Sequence, residues 1–404
     1  MQGLECTNKT KEDMKRQWIT IMALGIGIWG ISGCTNHPSE SETFAIVNVE
    51  EKEQVFDLQT LSPDAHTVVL ETTDSSLVAF TNRIYADNDY YLIGSNQAIF
   101  FFDKKGRFHH AIQRRGEGPE EYLTIADFAV DKSNKQIWIW DMRKSRLTCY
   151  DYKGAFLREI KIGFWCTNLQ WLDASHILLY SGNQITPEVN ACKFSVVNLQ
   201  TGEVERHFYP IAPNKAEFLH LMGGSHLSQT GGETFFAENF NDTIYRISAT
   251  ECVPAYYLDF GNAKIPVSLL AGRYKDIMDF HQKVTVGNYA FGISSLYALP
   301  DKIWLAYLDH GTDKYLCLDR ETKTSTPFSK LTDTSLFQEG AFDISEYEIS
   351  FYADEGQLFM LASNALYLEH QDKLKDEALK KVVGSLQIDS NPVLRVYQGE
   401  KDEL

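Results

Sequence analysis

Phe100-Phe101-Phe102-Asp103-Lys104-Lys105-Gly106 is an apolar run that ends in Asp-x-x-Gly, and this pattern recurs further along the chain. Its next two copies are Thr148-Cys149-Tyr150-Asp151-Tyr152-Lys153-Gly154 and Val196-Val197-Asn198-Leu199-Gln200-Thr201-Gly202, and the glycines are 48 residues apart each time. Asp or Asn opens a tight turn and glycine supplies the positive φ that closes it, so each copy predicts a strand followed by a hairpin turn. A fixed period of this length indicates a repeat architecture.

Three further segments continue the series, at 243–247, 315–319 and 391–397, without the turn glycine. Six units of about four short strands, with almost no helix between most of them, predict an all-β fold: a six-bladed β-propeller of four-stranded antiparallel blades. The second unit shows this best, with strands expected at 128–131, 136–141, 146–151 and 156–162.

Ring closure requires the two ends of the propeller to share a blade, because an open ring leaves two sheet edges unpaired. The segment at 66–71 is therefore expected to pair with the segment at 391–397. Helical spacing of apolar residues from Leu270 to His281 predicts one helical insertion, and a second helix is expected at 372–383. The sequence thus predicts a closed ring with one or two short helices outside the blades.

Several short motifs of the chain resemble those of a known family. They are Ile84-Tyr85-Ala86-Asp87, the Phe-Asp-x-x-Gly turn, Gly116-Glu117-Gly118-Pro119-Glu120-Glu121-Tyr122, Asn241-Asp242-Thr243-Ile244-Tyr245 and Asn391-Pro392-Val393-Leu394. In combination they are similar to the six-bladed β-propeller lipoproteins of Bacteroidota, relatives of NHL-repeat propellers. The resemblance covers residues 46 to 400 and implies an envelope propeller, but it supplies no catalytic residues. The chain departs from the family pattern at Glu120, where a third glycine is usual.

The amino-terminal sequence has the order of a secretory leader. Met14-Lys15-Arg16 precedes an apolar run at 18–31 that is shorter than the roughly 20 residues a membrane span needs. Ile31-Ser32-Gly33-Cys34 follows and resembles a bacterial lipobox, which implies lipid attachment at Cys34. We therefore expect residues 1–33 to be an upstream extension and a signal peptide that starts at Met14, residues 34–45 a flexible tether, and residues 46–404 the propeller.

Two features bear on the cellular address. Thr35 and Asn36 follow Cys34, without an aspartate that would retain a lipoprotein at the inner membrane, so we expect the bacterial outer membrane. The terminal Lys401-Asp402-Glu403-Leu404 instead matches the endoplasmic-reticulum retrieval signal of eukaryotes. The two addresses exclude each other, and we interpret the tail as a charged, solvated end.

Charge and cysteine content exclude several classes of protein. The formal charge of −17, from 38 Lys and Arg against 55 Asp and Glu, repels phosphate backbones, so nucleic acid is not an expected partner. Besides Cys34, the mature chain keeps five cysteines with no CxxC motif and no histidine at metal-ligand spacing: Cys149, Cys166, Cys192, Cys252 and Cys317. We predict neither a metal site nor a cofactor, and the pairing of these thiols is left open.

The order of strands within a blade predicts where a ligand binds. If the strands are A to D from the inside outward, the B–C loops and D–A connections emerge on one face, called here the loop face, and the A–B and C–D turns on the other, the turn face. Irregular segments and both predicted helices fall on the loop face, where binding sites concentrate. Our candidates are Arg115 to pair with a carboxylate, Tyr122 to stack, and Asp141, Asn241 and Asp242 to accept hydrogen bonds.

Two functions fit these observations. The preferred one is a lipid-anchored module that binds a carbohydrate, a peptide or an envelope protein. The alternative is a metal-dependent hydrolase or lyase of lactonase type that acts on a sugar derivative, with Asp141, Asn241, Asp242 and Asp309 as metal ligands. A stoichiometric divalent ion that resists dialysis would favour the enzyme.

The lipobox predicts that Cys34 carries the lipid. Cells that express the wild-type chain should incorporate labelled palmitate into it, and the Cys34→Ser variant should take up none, because the acceptor thiol is gone. Equal labelling of both chains, or of neither, would remove the lipoprotein assignment and revive the terminal tetrapeptide as an address.

Overall fold

Residues 44–49, 54–62, 64–212, 227–310, 312–338 and 342–399 are described by the structure, a computed structural model. In them, 26 short strands form six sheets, each with four antiparallel strands at its centre. These four are consecutive in five sheets, and in the sixth the last one comes from the amino-terminal segment. The innermost strands of neighbouring sheets contact one another around a common axis. The predicted six-bladed β-propeller is confirmed. No helix in these ranges is both long and apolar enough to cross a membrane.

The first three strands are β1 (Ala45–Asn48), β2 (Gln54–Asp57) and β3 (His66–Val69). Blade 1 then consists of β4 (Arg83–Ala86), β5 (Tyr90–Gly94), β6 (Ile99–Asp103) and β7 (Phe108–Ile112). Blade 2 consists of β8 (Asp127–Asp131), β9 (Gln136–Asp141), β10 (Arg146–Asp151) and β11 (Phe156–Lys161). Blade 3 consists of β12 (Asn168–Asp173), β13 (His176–Tyr180), β14 (Cys192–Asn198) and β15 (Val204–Pro210).

Blade 4 consists of β16 (Leu227–Thr230), β17 (Glu233–Phe236), β18 (Thr243–Ile247) and β19 (Cys252–Asp259). Blade 5 consists of β20 (Ala290–Ala298), β21 (Lys302–Asp309), β22 (Thr312–Asp319) and β23 (Ser325–Thr332). Blade 6 consists of β24 (Ile349–Asp354), β25 (Gln357–Ala362), β26 (Val393–Gln398) and β3. The six repeated segments of the sequence are thus the C strands β6, β10, β14, β18, β22 and β26.

Helices lie only in the connections between strands. The α-helices are α1 (Val267–Leu270), α2 (Ile277–Val286), α3 (Asn364–Glu369) and α4 (Glu377–Val383). Single 3-10 turns lie at Leu58–Leu61, Pro187–Val189, Gly261–Ala263, Ile344–Glu346 and Gln371–Lys373. Both predicted helices exist but begin later than expected, because an aspartate caps each one. Asp276 accepts a bond from the Asp279 amide at 2.9 Å, and Asp376 one from the Ala378 amide at 2.8 Å.

The ring closes where the sequence predicts. β3 pairs antiparallel with β26, with Val69 opposite Val393. The buried Asn391 locks this closure: its side-chain oxygen accepts a bond from the Val78 amide at 2.7 Å, and its side-chain nitrogen donates to the Glu71 and Ser76 carbonyl oxygens, each at 2.8 Å. Asn391, the first residue of the Asn391-Pro392-Val393-Leu394 motif, therefore has a structural role.

The amino-terminal segment adds strands that the sequence analysis did not anticipate. β1 pairs parallel with β19 of blade 4, and β2 pairs parallel with β23 of blade 5. With β3 in blade 6, the segment supplies the outermost strand of three successive blades. It covers three sheet edges that would otherwise be open.

The Asp-x-x-Gly turns have the geometry that their sequence predicts. Asp103 Oδ1 accepts a bond from the Lys105 amide at 2.9 Å, and the same bond recurs from Lys153 to Asp151 and from Gln200 to Asn198. The glycines have φ values of 81° at Gly106, 81° at Gly154 and 78° at Gly202.

These turns are also contacts between blades. An added Cβ at Gly106 would meet Val69 of β3, one at Gly154 would meet Ile112 of β7, and one at Gly202 would meet Ile160 of β11. Each turn therefore packs on the outermost strand of the preceding blade. The fit is closest at Gly106, where the Cβ would lie 2.2 Å from the Val69 carbonyl oxygen, against 3.7 Å from the nearest Ile160 atom at Gly202.

A glycine-to-alanine substitution should lower the unfolding free energy by different amounts in the turns at Gly106 and Gly202. Gly202→Ala should lose about 1–2 kcal/mol of unfolding free energy, because alanine strains a left-handed backbone. Gly106→Ala should lose about 1–3 kcal/mol more, because its Cβ also overlaps a backbone oxygen that cannot move freely. Urea unfolding followed by tryptophan fluorescence measures both. Equal losses would contradict the proposed contact with β3.

Candidate functional site

A cavity of about 440 Å³ lies on the axis of the propeller. Innermost strands of five blades line it, mostly with polar or aromatic side chains. The polar members are Asn82, Arg83, Tyr85, Asn168, Gln170, Ser228, Gln229, Ser294, Ser295, Tyr297, Asp313, Tyr315, Ser350, Tyr352 and Asp354. The volume is in the range of small-ligand pockets in proteins.

An ion pair between Arg83 and Asp127 joins blades 1 and 2 beside this cavity. Arg83 Nε lies 3.2 Å from Asp127 Oδ1, and the two side chains are 14% and 3% exposed. Arg83 also donates to the Leu169 carbonyl oxygen at 3.1 Å and to the Tyr85 hydroxyl at 2.9 Å. Asp127 in turn accepts a bond from the Leu169 amide at 3.0 Å. One guanidinium therefore holds three blades together.

Burial acts on both charges of this pair. It raises the pKa of Asp127, while Arg83 and the amides of Leu169 and Phe128 oppose the shift. For Arg83, burial favours the neutral form, but Asp127 and Tyr85 outweigh it and its pKa is raised. Since breaking a buried pair leaves an uncompensated charge, this interaction is a structural requirement of the site.

Side-chain amides continue the polar lining from blade 1 to blade 4. Gln170 donates to Gln229 Oε1 at 3.2 Å, and Asn168 donates to Asp127 at 3.4 Å. Asn82 donates to the Ile125 carbonyl oxygen at 3.3 Å, and in the part of the chain that the structure describes its Oδ1 has no hydrogen-bond partner. The cavity wall therefore offers both donors and acceptors to a polar ligand.

A second cavity, of about 420 Å³, lies on the turn face. Asp354 lines both. Its carboxylate accepts a bond from the Ala86 amide at 2.8 Å and pairs with Lys132 Nζ at 2.7 Å. Burial raises the pKa of Asp354, against the opposing effect of Lys132.

Tyr122, one of the sequence-predicted site residues, is fully buried. Its hydroxyl lies 2.8 Å from the Gln97 carbonyl oxygen and 3.0 Å from that of Ile112. Burial raises the pKa of Tyr122 to about 12, so the hydroxyl remains a donor at neutral pH. The stacking role expected for this residue is wrong, because stacking needs an exposed ring face and this ring anchors the connection between blades 1 and 2.

Asp141 is also fully buried and holds the same connection. Its carboxylate accepts bonds from the Leu123 amide at 2.7 Å and the Arg143 amide at 3.1 Å. Lys144 donates to the carbonyl oxygens of Gly116, Gly118 and Glu121, at 3.0, 3.1 and 2.6 Å. The turn at 116–122 is thus fixed by the B–C loop of blade 2. Arg115 is exposed beside it, and its role in binding stays a prediction.

Asn241 and Asp242 lie in the B–C loop of blade 4. Asn241 Nδ2 lies 3.2 Å from Glu238 Oε1 and from the Tyr245 hydroxyl, and Asp242 Oδ2 lies 3.7 Å from Lys264 Nζ. The structure therefore brings Arg115, Tyr122 and Asp141 together on one connection and places Asn241 and Asp242 two blades away. None of the five is among the residues that line the axial cavity.

The predicted metal ligands of the alternative function are also separated. Asp309 pairs with Lys314 at 2.7 Å, in blade 5. Among the residues that the structure describes, no three His, Cys, Asp or Glu side chains form a group that could hold a metal ion. The five cysteines that follow residue 148 are free thiols.

Sequence reasoning missed the axial cavity, although a signal for it exists. The A strands of blades 1 and 3 carry polar side chains at alternate positions, Arg83 and Tyr85 in one and Asn168 and Gln170 in the other. Alternation is usual for any half-exposed strand. In the innermost strand of a propeller blade it marks side chains that face the axis.

A family model matches residues 42–398, nearly the whole described propeller. Its description is "Domain of unknown function (DUF4934)". The chain belongs to this family. None of the curated proteins compared with this DUF4934 chain matches its sequence.

Solved structures share the fold of this DUF4934 member. A Bacteroides fragilis protein named as a candidate exported protein has a TM-score of 0.69 and 17% identity, over 89% of this chain and 100% of its own. A Bacteroides vulgatus member of the DUF4221 family has a TM-score of 0.50 and 11% identity, over 84% of this chain and 98% of its own. At these identities the likeness concerns the fold alone.

The Arg83–Asp127 pair predicts strong coupling in a double-mutant cycle. Arg83→Met should lose about 3–5 kcal/mol of unfolding free energy, because it leaves a buried carboxylate unpaired. Adding Asp127→Asn should restore part of this loss. The surface pair of Lys380 with Glu377, whose carboxylate side chain is 82% exposed, is the control, since its Lys380→Met and Glu377→Gln variants should couple by less than about 1 kcal/mol. Urea unfolding measures both cycles, and equal coupling in the two would show that Arg83 is not structural.

Proposed function

We propose that this protein is a lipid-anchored envelope protein whose propeller binds a polyhydroxylated ligand, the end of an oligosaccharide, in the axial cavity. The observation that carries the proposal is the polar lining of a cavity of about 440 Å³ on the axis. Rigid innermost strands hold this lining, so little ordering is required when a ligand binds.

The chemistry of the lining suits a sugar. Hydroxyl groups both donate and accept hydrogen bonds, and the amides of Asn82 and Gln229 can do the same. Tyr315 and Tyr352, both partly exposed, supply aromatic surface to the same cavity. An aromatic body with a polar tip is well suited to contact the apolar face of a sugar ring and its hydroxyls together.

Charge argues against an anionic ligand at this site. The net charge of the chain is −17, and the one guanidinium that lines the cavity, Arg83, is engaged by Asp127. Asp313 adds negative charge to the wall, while Asp354 is paired with Lys132. A neutral polyhydroxylated ligand avoids the repulsion that a carboxylate or phosphate would meet.

The location rests on sequence. The lipobox at 31–34 lies outside the described residues, and it supports attachment at Cys34 and, with Thr35 and Asn36, an outer-membrane address. The resemblance to NHL-like propeller lipoproteins of Bacteroidota supports the same location. So does the similarity of the fold to a Bacteroides protein named as exported.

A cavity-filling variant tests the proposed site. Purified protein is screened on an oligosaccharide array, and the affinity for the best-bound glycan is measured by calorimetry. Ser350 is exposed within the cavity, so Ser350→Tyr should occupy the space and weaken binding by at least about tenfold. Ser75→Tyr, at an exposed loop position that does not line the cavity, should bind as the wild type does.

Two results would overturn the proposal. If no glycan binds, the ligand class is wrong. If a glycan binds and Ser350→Tyr leaves its affinity unchanged while Arg115→Ala abolishes it, the site is on the loop face, as the sequence predicted, and not on the axis.

A further inference from the structure

A groove of about 560 Å³ runs along the outer edge of blade 6, between β3 and α4. All five residues of the segment 65–69 line it. Successive side chains of a strand point to opposite faces of its sheet, so a groove against one face would be lined by alternate residues only. This groove therefore faces the backbone edge of β3.

In blades 4 and 5, the outer edge of the sheet is already paired with an additional strand. The outermost strand of blade 4 is paired with β1, and that of blade 5 with β2, both extended segments from elsewhere in the chain. In blade 6, among the described residues, β3 is the last strand of the sheet. An unpaired edge of this kind can accept another extended chain through main-chain hydrogen bonds.

The sequence of β3 does nothing to oppose such pairing. Among the described residues, the outermost strands of blades 2 and 3 carry charged residues, Arg158 and Glu159 in β11 and Glu205 and Arg206 in β15, which discourage edge-to-edge contacts. The outermost strand of blade 1, β7, carries none. β3 reads His66-Thr67-Val68-Val69 and has no carboxylate, lysine or arginine.

The groove is basic although the protein is acidic. Lys104, Lys105 and Lys375 line it, in a chain whose net charge is −17. Arg395 also lines it but is paired with Asp333 at 3.1 Å. The one carboxylate of the lining, Asp376, is engaged as the cap of α4. The three lysines therefore leave an excess of positive charge.

The α4 side of the groove is partly apolar. Leu336, Leu379 and Val382 line it, and Val382 is 45% exposed. An extended peptide in the groove would present alternate side chains to its two sides. The side chains on one side can cover these apolar groups, while those on the other side reach the lysines.

We propose that this groove binds an extended acidic peptide, which adds a fifth strand to blade 6 as β1 and β2 do in blades 4 and 5. Its apolar residues contact Leu379 and Val382, and its carboxylates pair with Lys104, Lys105 and Lys375. The groove shares no lining residue with the axial cavity, so this interaction is independent of the proposed sugar site.

The test uses a fluorescein-labelled peptide of alternating valine and glutamate, with both ends blocked, and the intact protein. Fluorescence anisotropy should show binding that weakens as salt rises. Lys105→Glu combined with Lys375→Glu should weaken binding at least about tenfold. Lys153→Glu is the matched control, because Lys153 holds the same place in the turn of blade 2 as Lys105 in blade 1, and it should change nothing.

A peptide with alternate backbone amides methylated separates edge pairing from simple charge attraction without altering the protein. It should lose binding, since methylation removes the donors that pair with β3. Amide hydrogen exchange should show protection at 66–69 with the unmodified peptide only. No binding at millimolar peptide, or binding that survives both methylation and charge reversal, would overturn the proposal, whatever the glycan array shows.

Discussion

The antiparallel pairing of β3 with β26 is the contact on which the other features of the ring depend. Six blades can surround a common axis only if the last one is completed, and its fourth strand comes from the opposite end of the chain. Asn391 fixes this pairing through buried bonds to the loop that follows β3. The axial cavity is a product of closure, since its wall is formed by innermost strands of five different blades.

Closure also explains how charge is arranged at the centre. Innermost strands converge, so polar groups from neighbouring blades come within hydrogen-bonding distance, as Arg83 does with Asp127 and the Leu169 carbonyl. A buried charge without such a partner would be strongly destabilising. The pair therefore ties the polarity of the cavity to the relative positions of three blades.

Local chemistry explains which parts of the structure could be predicted. The C strands were found because Asp-x-x-Gly determines a turn by itself, and closure followed from the cost of open edges. β1 and β2 were missed because parallel pairing at a blade edge depends on contacts with residues far along the chain, such as Tyr256 and Lys330. The burial of Asp141 was missed for a related reason: an aspartate in a loop has the same local sequence whether it faces solvent or caps backbone amides.

The pairing of β3, near the amino-terminal end of the ring, with β26 has a consequence for biosynthesis. Val78 and Asn391, which bond across the closure, are separated by 313 positions. Folding rates fall as contacts become less local, because loop-closure entropy must be overcome before such contacts form. The ring cannot be completed until β26 has been synthesised, so until then the growing chain is an open array of blades. Such an intermediate exposes strand edges that can aggregate, so correct folding depends on how quickly β26 is synthesised and pairs with β3.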